Sequence, residues 1–292
     1  MGVLKTAVLI AGPTASGKSR LAMDIARETD GVIVNADSMQ VYGVLRVLTA
    51  RPSAADEAEL PHRLFGHVHP GILYSVASWL GEVETLIATG IFDTRPAIFV
   101  GGTGLYFRAL TQGLSQMPEI PDDVRAKWRT ALLDEGSDAL HRQLAARDRR
   151  AAERLRPGDG QRIVRALEVV DASGWSILDW QGERSQPLVD AEAARKLVIA
   201  PERETLRRNI DDRFDGMVEA GAIGEVEQLL ALDLPTQMPA MKAIGVPELA
   251  AVLRGELAID AVIDRAKAAT RQYAKRQDTW FRNQLGSDWQ RL

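Results

Sequence analysis

Apolar residues run through the first third of the chain in two different rhythms. Ala7–Ala11, Gly31–Ala36 and Pro96–Val100 are short, nearly uninterrupted apolar runs bounded by Gly, Asp or Pro. That is the pattern of strands buried on both faces. Between them the apolar positions fall at helical spacing. Lys18–Arg27 is amphipathic, and Val76, Leu80, Val83 and Ile87 set one face of a helix near Ser75–Thr89. Gly101-Gly102 turns the chain toward a further helix starting around Thr103. Strand followed by helix, repeated, predicts a parallel sheet covered on both sides, an α/β core of nucleotide-binding type.

From about Leu114 to Glu192 the rhythm changes. After a break at Pro118 and Pro121 the pattern is almost wholly helical, with candidates Asp122–Asp134, Ser137–Leu155 and Gln161–Ala172 and breakers at Pro157-Gly158 and Gly174. Lys196–Ala200 then brings a strand back, followed by helices over Glu202–Ala220, Gly224–Ala231, Val246–Arg254 and Ile259–Phe281. The expected organisation is a first core segment at 1–113, a helical insertion at 114–194, and a second core segment at 195–292 with basic C-terminal helices.

Composition narrows the classes. The 292 residues are 46% hydrophobic and 26% charged, an ordinary globular balance with chain enough for a large core. Cys is absent, which removes disulfides, thiol nucleophiles and Cys-ligated zinc and fits a reducing compartment. No apolar run approaches the ~20 residues that span a bilayer, and Ala7–Ala11 is too short for a secretory signal. A cytoplasmic monomer with no membrane association is the expectation. The net charge of −4, taken as a total, argues mildly against a polyanionic partner.

Gly12-Pro13-Thr14-Ala15-Ser16-Gly17-Lys18-Ser19 matches G-x-x-x-x-G-K-[ST], between a strand and a helix. The glycines let the backbone curl so that successive amides point at phosphate oxygens, and the helix N-terminus adds positive charge. Lys18 can neutralise an outer phosphate, and the Ser19 hydroxyl can hold Mg²⁺. A phosphorylated ligand follows, without saying which. A nucleoside triphosphatase would normally carry a second strand ending in a metal-holding Asp. Here the strand before Gly101 ends in Gly101-Gly102-Thr103-Gly104 instead. The nearby strand-end carboxylate is Asp37. It suits a turn or helix cap, and equally a base or hydrogen-bond acceptor in the crevice at the carboxyl ends of the strands.

Charge is unevenly placed. His141–Arg165 carries eight arginines against Asp148, Glu153 and Asp159, and 265–292 carries seven basic residues against Asp278 and Asp288. Each is +5. In the first, Gln161, Arg162 and Arg165 lie opposite an apolar face of Ile163, Leu167 and Val170. In the second, Lys267, Arg271, Lys275 and Arg282 line a face apart from Ile259, Val262, Ile263, Ala266 and Tyr273. Such stripes are often only solvated helix faces. Two of them beside a phosphate loop favour a polyanion groove. His62, His67, His69 and His141 have no ligand spacing that makes a metal site. The six Trp are dispersed and read mostly as core; Trp280 could stack on a base.

In order along the chain, GPTASGKS (12–19), DSMQVY (37–42), TARP (49–52), GGTGLYF (101–107), QRIVRALEV (161–169) and TRQYAKRQDTWFR (270–282) resemble the tRNA dimethylallyltransferase family, in the bacterial type without a zinc finger. The resemblance covers nearly the whole chain. It implies a P-loop NTPase-like (kinase-like) sheet with an all-helical insertion. It also implies Mg²⁺-dependent transfer of a dimethylallyl group from dimethylallyl diphosphate to the exocyclic amine of the adenosine 3′ to the anticodon, in tRNAs reading codons that begin with U. By resemblance, the loop Gly12, Pro13, Thr14, Ala15, Ser16, Gly17, Lys18 and Ser19 holds diphosphate, with Mg²⁺ at Ser19. Thr14, Lys18, Asp37 and Arg213 are catalytic: Thr14 lies near the breaking bond, Asp37 acts as the base and Arg213 helps hold diphosphate. The tRNA anticodon stem-loop would be contacted by Asp37, Ser38, Met39, Gln40, Thr103 and Arg125. Further contacts would come from Gln161, Arg162, Ile163, Val164 and Arg165 and from Lys242, Ala243, Ile244, Gly245, Val246 and Pro247.

Two positions depart from the family pattern: Asn209 stands where an Arg is common, and Leu48 where a Gly usually precedes the Thr. Three rivals share parts of the signal: a prenyltransferase of free adenine nucleotides, a small-molecule kinase using the loop for ATP, and a nucleotide-gated RNA-binding module in which Asp37 is only a cap.

Overall fold

The protein is described by a computed structural model covering residues 2–182 and 184–292; Met1, in the first core segment, and Glu183, in the expected insertion, lie outside the described residues. β1 (Ala7–Ala11), β2 (Val32–Asn35), β3 (His62–Arg63), β4 (Ala97–Gly101), β5 (Arg195–Val198) and β6 (Gln290–Arg291) form one sheet in the order β3-β2-β4-β1-β5-β6. Every pairing is parallel. The helices are α1 (Lys18–Thr29), α2 (Ala54–Glu59), α3 (Val76–Ala88), α4 (Gly104–Gln112), α5 (Asp122–Arg147), α6 (Arg149–Ala152), α7 (Gly160–Ser173) and α8 (Ile177–Trp180). They continue with α9 (Arg203–Glu219), α10 (Ala222–Leu230), α11 (Val246–Leu253) and α12 (Ile259–Gln284). Among the described residues no helix is long and apolar enough to cross a membrane.

The strands are apolar throughout because both sheet faces are covered. Ile10, Ile33, Ile98, Val100 and Leu197 point to α1, meeting Ala22, Met23, Ile25 and Ala26. The alternate residues Leu9, Ala11, Val34 and Phe99 meet Trp79, Val83, Phe107 and Phe281. Each large side chain buried this way contributes roughly 1.5–3 kcal/mol. Asp30, in a left-handed conformation (φ 52°), ends α1 by donating its N–H to the Ala26 carbonyl. Ser75 caps α3 by accepting the Ser78 N–H. A second core joins Val41, Tyr42, Leu45 and Leu48 of the segment after β2 to α9–α12, through Phe214, Val226, Leu249 and Val262. The arrangement is that of a P-loop NTPase-like sheet.

The chain forms two compact units, Met1–Thr111 with Pro187–Leu292, and Gln112–Gln186. The expected insertion ran to 194. In the structure the chain is back on the sheet unit by Leu188, whose N–H reaches the Leu110 carbonyl, and Leu4 bridges Val189. The helical unit has its own core, centred on Trp128, Leu140, Leu144, Ile163 and Leu167. Its helix over Ser137–Leu155 is shorter than expected. α5 carries a kink at Gly136 (φ 78°) and ends at Arg147, because Asp148 leaves helical geometry to cap α6 through the Ala151 N–H. β3, β6, α2 and α8, absent from the sequence reading, are elements of two to six residues.

Candidate active site

Because the sheet is parallel, the ends of β1, β2 and β4 open at one edge. The phosphate loop leaves β1, Asp37 follows β2, and Gly101-Gly102-Thr103 follows β4. Register joins them closely: the Ala36 N–H reaches the Val100 carbonyl at 2.8 Å, and the Thr103 N–H reaches the Ala36 carbonyl at 3.2 Å. This explains the paired glycines. A Cβ on residue 101 would lie 2.0 Å from the Ala36 carbonyl oxygen, and one on residue 102 would lie 2.1 Å from the Gln277 side-chain nitrogen. The end of β4 therefore has no room for the metal-holding Asp of a triphosphatase.

Lys18 is buried, with its Nζ 3.2 Å from the Pro13 carbonyl. Burial, only partly offset by the Asp37 carboxylate and reinforced by Arg213, brings its pKa down to about 8. The Ser16 hydroxyl oxygen is buried without a partner among the described residues. Residues 15–19, Arg20, Arg27, Arg51 and Arg213 line a cavity of about 880 Å³, where Lys18 and these arginines outnumber Asp24, Asp56 and Asp212. A cationic pocket holding an unsatisfied buried hydroxyl is built for an anion with many acceptor oxygens.

Asp37 makes the turn-capping bond and stands in the crevice at the carboxyl ends of the strands. Its Oδ1 accepts the Met39 N–H at 3.0 Å, the turn-capping bond, and its Oδ2 accepts the Gly102 N–H at 3.3 Å. Asn35 orders it by accepting the Asp37 N–H at 2.8 Å. Each carboxylate oxygen keeps acceptor capacity for a further donor. Arg213 comes from α9; burial lowers its pKa and Asp37 raises it back in part. Thr14 donates its N–H to Gln277 Oε1 at 2.9 Å, so its amide faces α12. The Asn209 side chain donates to the Ala15 carbonyl at 3.2 Å and braces the loop directly. Leu48 packs against Gly245 in the second core, and its N–H goes to Glu225 at 3.0 Å.

The structure divides the residues expected to touch tRNA. Ser38 and Thr103 stand beside Asp37, tied by the Ser38 N–H to Thr103 Oγ1 at 2.9 Å. Met39 is half-buried there, and the Gln40 side chain is used internally, donating to the Thr49 and Ala50 carbonyls. Within the helical unit, Gln161 and Arg162 are exposed and Arg165 is half-buried. Ile163 and Val164, expected among the contacts, are core side chains at 0% and 6% exposure. Their place on the apolar face of α7 withdraws them. Arg125 lies in the first turn of α5, with its Nε 3.1 Å from the Ile120 carbonyl. In the 242–247 stretch Ala243, Gly245 and Val246 are likewise buried, leaving Lys242, Ile244 and Pro247.

The C-terminal basic stripe is also corrected. Lys267 pairs with Asp215 at 2.7 Å and Arg271 pairs with Asp211, strapping α12 to α9, and Arg282 pairs with Asp278 at 3.0 Å along its own helix. Arg265, Lys275 and Arg276 are the basic residues of α12 that remain exposed without an ion pair among the described residues. Of the tryptophans, Trp79, Trp128 and Trp289 are core, Trp280 covers Gly104, and Trp175 is 66% exposed. No cluster of His, Asp or Glu that could hold a metal occurs among the described residues.

Gln277 is the site residue that the sequence reading left without a role. It sits one turn after Tyr273 on the apolar stripe of α12 and is 6% exposed. A lone amide on an apolar stripe was the available signal.

The chain matches the family model "IPP transferase" over residues 40–284 and "Isopentenyl transferase" over 5–73. It is 62% identical over 290 residues to a protein of Chelativorans sp. (strain BNC1) described as a tRNA dimethylallyltransferase, covering 99% of each chain. Among solved structures it resembles the tRNA isopentenylpyrophosphate transferase of Bacillus halodurans (TM-score 0.69, 31% identity, 99% of this chain and 89% of that one). It also resembles a eukaryotic dimethylallyltransferase acting on tRNA (TM-score 0.78, 27% identity, 94% of this chain and 69% of that one).

Proposed function

This chain belongs to the IPP transferase family, and from that premise we propose that it is a tRNA dimethylallyltransferase using dimethylallyl diphosphate as donor. The observation that carries the reading is the placement of Asp37 beside the phosphate loop at one sheet edge, where β4 leaves no space for a triphosphatase's acid.

The loop amides, Lys18 and Arg213 hold the donor's diphosphate and stabilise the charge that collects on it as the allylic C–O bond breaks. The leaving diphosphate takes the bonding electron pair. The exocyclic amine of the adenosine 3′ to the anticodon supplies the pair for the new C–N bond, and its proton passes to Asp37. That amine is a poor nucleophile unaided because its lone pair is delocalised into the ring, so an acceptor at Asp37 is where help is needed. The base must leave its stack to reach the sheet edge.

Mg²⁺ fits the donor set in a limited way. Ser19 offers a hard oxygen at the helix start, and Mg²⁺ sites of this kind draw their remaining ligands from phosphate and water. When bound it neutralises diphosphate charge. Thr14, near the breaking bond, and Ser38–Gln40, Thr103, Arg125, Gln161, Arg162, Arg165 and Lys242 toward tRNA are the contacts this reading assigns.

The test offers labelled dimethylallyl diphosphate and, separately, γ-labelled ATP to unmodified tRNA, to free AMP and to no acceptor. Label reaching tRNA only from the allylic donor is the expected result. Phosphoryl transfer from ATP, or prenylation of AMP in preference to tRNA, would overturn it.

A further inference from the structure

The buried amide of Gln277 lies between the two halves of the site. Its Oε1 accepts the Thr14 N–H at 2.9 Å, and its Nε2 donates to the Gly102 carbonyl at 3.0 Å. The N–H of the same Gly102 reaches Asp37 Oδ2 at 3.3 Å. A continuous run of hydrogen bonds therefore joins the donor loop to the base, and its partners come from parts of the chain 263 and 175 residues away from Gln277. The amide serves both ends where a charged side chain would not: a carboxylate has no donor for the Gly102 carbonyl, and an ammonium has no acceptor for the Thr14 amide.

The neighbouring packing holds the amide in one orientation. Tyr273, one turn before it on α12, lies beside Gln277. Trp280, further along the same face, lies where a Cβ on residue 104 would sit, 2.1 Å from the ring. The close approach of Gln277 to Gly102 leaves that position no side chain at all. Fold support alone would not require the amide's two ends to fall on the loop that binds the donor and on the turn that holds the base.

We propose that Gln277 is a positioning residue that fixes Thr14 and the Asp37-bearing turn relative to one another, setting the distance between leaving group and base. This rests on the transferase reading above. Gln277 touches neither substrate and acts through Thr14 and Gly102. The diphosphate grip of Lys18 and the remaining loop amides is independent of it. Loss of the amide should therefore appear in turnover rather than in donor binding.

The experiment uses the full-length enzyme with dimethylallyl diphosphate and an unmodified tRNA, comparing wild type with Gln277→Glu and Gln277→Met. Gln277→Glu keeps the acceptor for Thr14 and loses the donor to Gly102; Gln277→Met keeps the volume and loses both. The expected result is a fall in kcat of about tenfold or more in each, with donor KM within about threefold of wild type. In an Asp37→Asn background, adding Gln277→Met should cost less than about threefold, because the base it positions is already gone. Thermal melting identifies any variant that fails to fold, in which case the other carries the comparison. Wild-type kcat in a folded variant, or a full and additive loss in the Asp37→Asn background, would overturn the proposal. Wild-type enzyme inactive with the allylic donor would instead sink the transferase reading itself, so the two failures are distinguishable.

Discussion

The sheet edge and the helical unit hold their functional side chains in opposite ways. At the sheet edge, Lys18 and Gln277 are buried, Asp37 is fixed by two backbone amides, and glycines at 101 and 102 let the end of β4 approach the end of β2 and Gln277 of α12. In the helical unit most charged side chains lie at the surface, Asp148 and Glu168 being buried, and many are partnered. Arg147 pairs with Asp171, Arg149 with Glu153, Arg150 with Asp179, and Arg162 and Arg165 sit 3.5 and 3.6 Å from Asp159 and Glu168. The first region is preorganised, so a single atom matters. The second offers an adjustable surface whose contribution is spread over several weak, screened charges.

Substitutions should separate the two. The largest effect belongs to the buried cation: Lys18→Met should lower kcat/KM for the donor by about 10³-fold, read by steady-state kinetics. Wild-type efficiency in that variant would remove the loop lysine from the chemistry.

The same residue gives the next effect. Because its pKa is brought down to about 8, Lys18 is a cation below that pH and neutral above it. An anionic donor prefers the cation, so kcat/KM should fall about fivefold from pH 8 to pH 9, approaching tenfold per unit at higher pH. The corresponding limb in kcat should lie at higher pH, because the bound diphosphate raises the pKa of Lys18. A flat profile across that range would contradict the burial argument.

The helical surface should respond to salt instead. Arg162→Ala with Arg165→Ala should raise KM for tRNA several-fold at low ionic strength, leave donor KM unchanged, and reduce the slope of log KM against log salt by about 1–2. An unchanged slope would mean that neither side chain meets a phosphate. The smallest effect expected is at the loop brace: Asn209→Ala removes one exposed hydrogen bond to the Ala15 carbonyl and should raise donor KM about two- to threefold.

These regions also differ in how much of them could be read from sequence. β1 and β4 were legible because a parallel strand covered on both faces must be apolar at every position, and the loop after β1 has a spacing that its phosphate chemistry dictates. β3 and β6, His62–Arg63 and Gln290–Arg291, are polar pairs joined to the sheet by backbone bonds alone, so their side chains carry no strand signal. The face of α7 was legible as a helix, yet Ile163 and Val164 stood among expected RNA contacts until burial withdrew them. Lys267 and Arg271 read as a basic groove because their partners, Asp215 and Asp211, lie on another helix. Gln277 escaped for the same reason: its role exists only once α12 is brought against Thr14 and Gly102.

The claim that one sheet edge holds a donor half and a separate base is tested most directly at Asp37. In Asp37→Ala, turnover of tRNA with dimethylallyl diphosphate should fall by about two orders of magnitude or more, while calorimetric affinity for inorganic diphosphate stays within about threefold of wild type. Turnover near the wild-type value, or diphosphate binding lost in parallel with turnover, would contradict it.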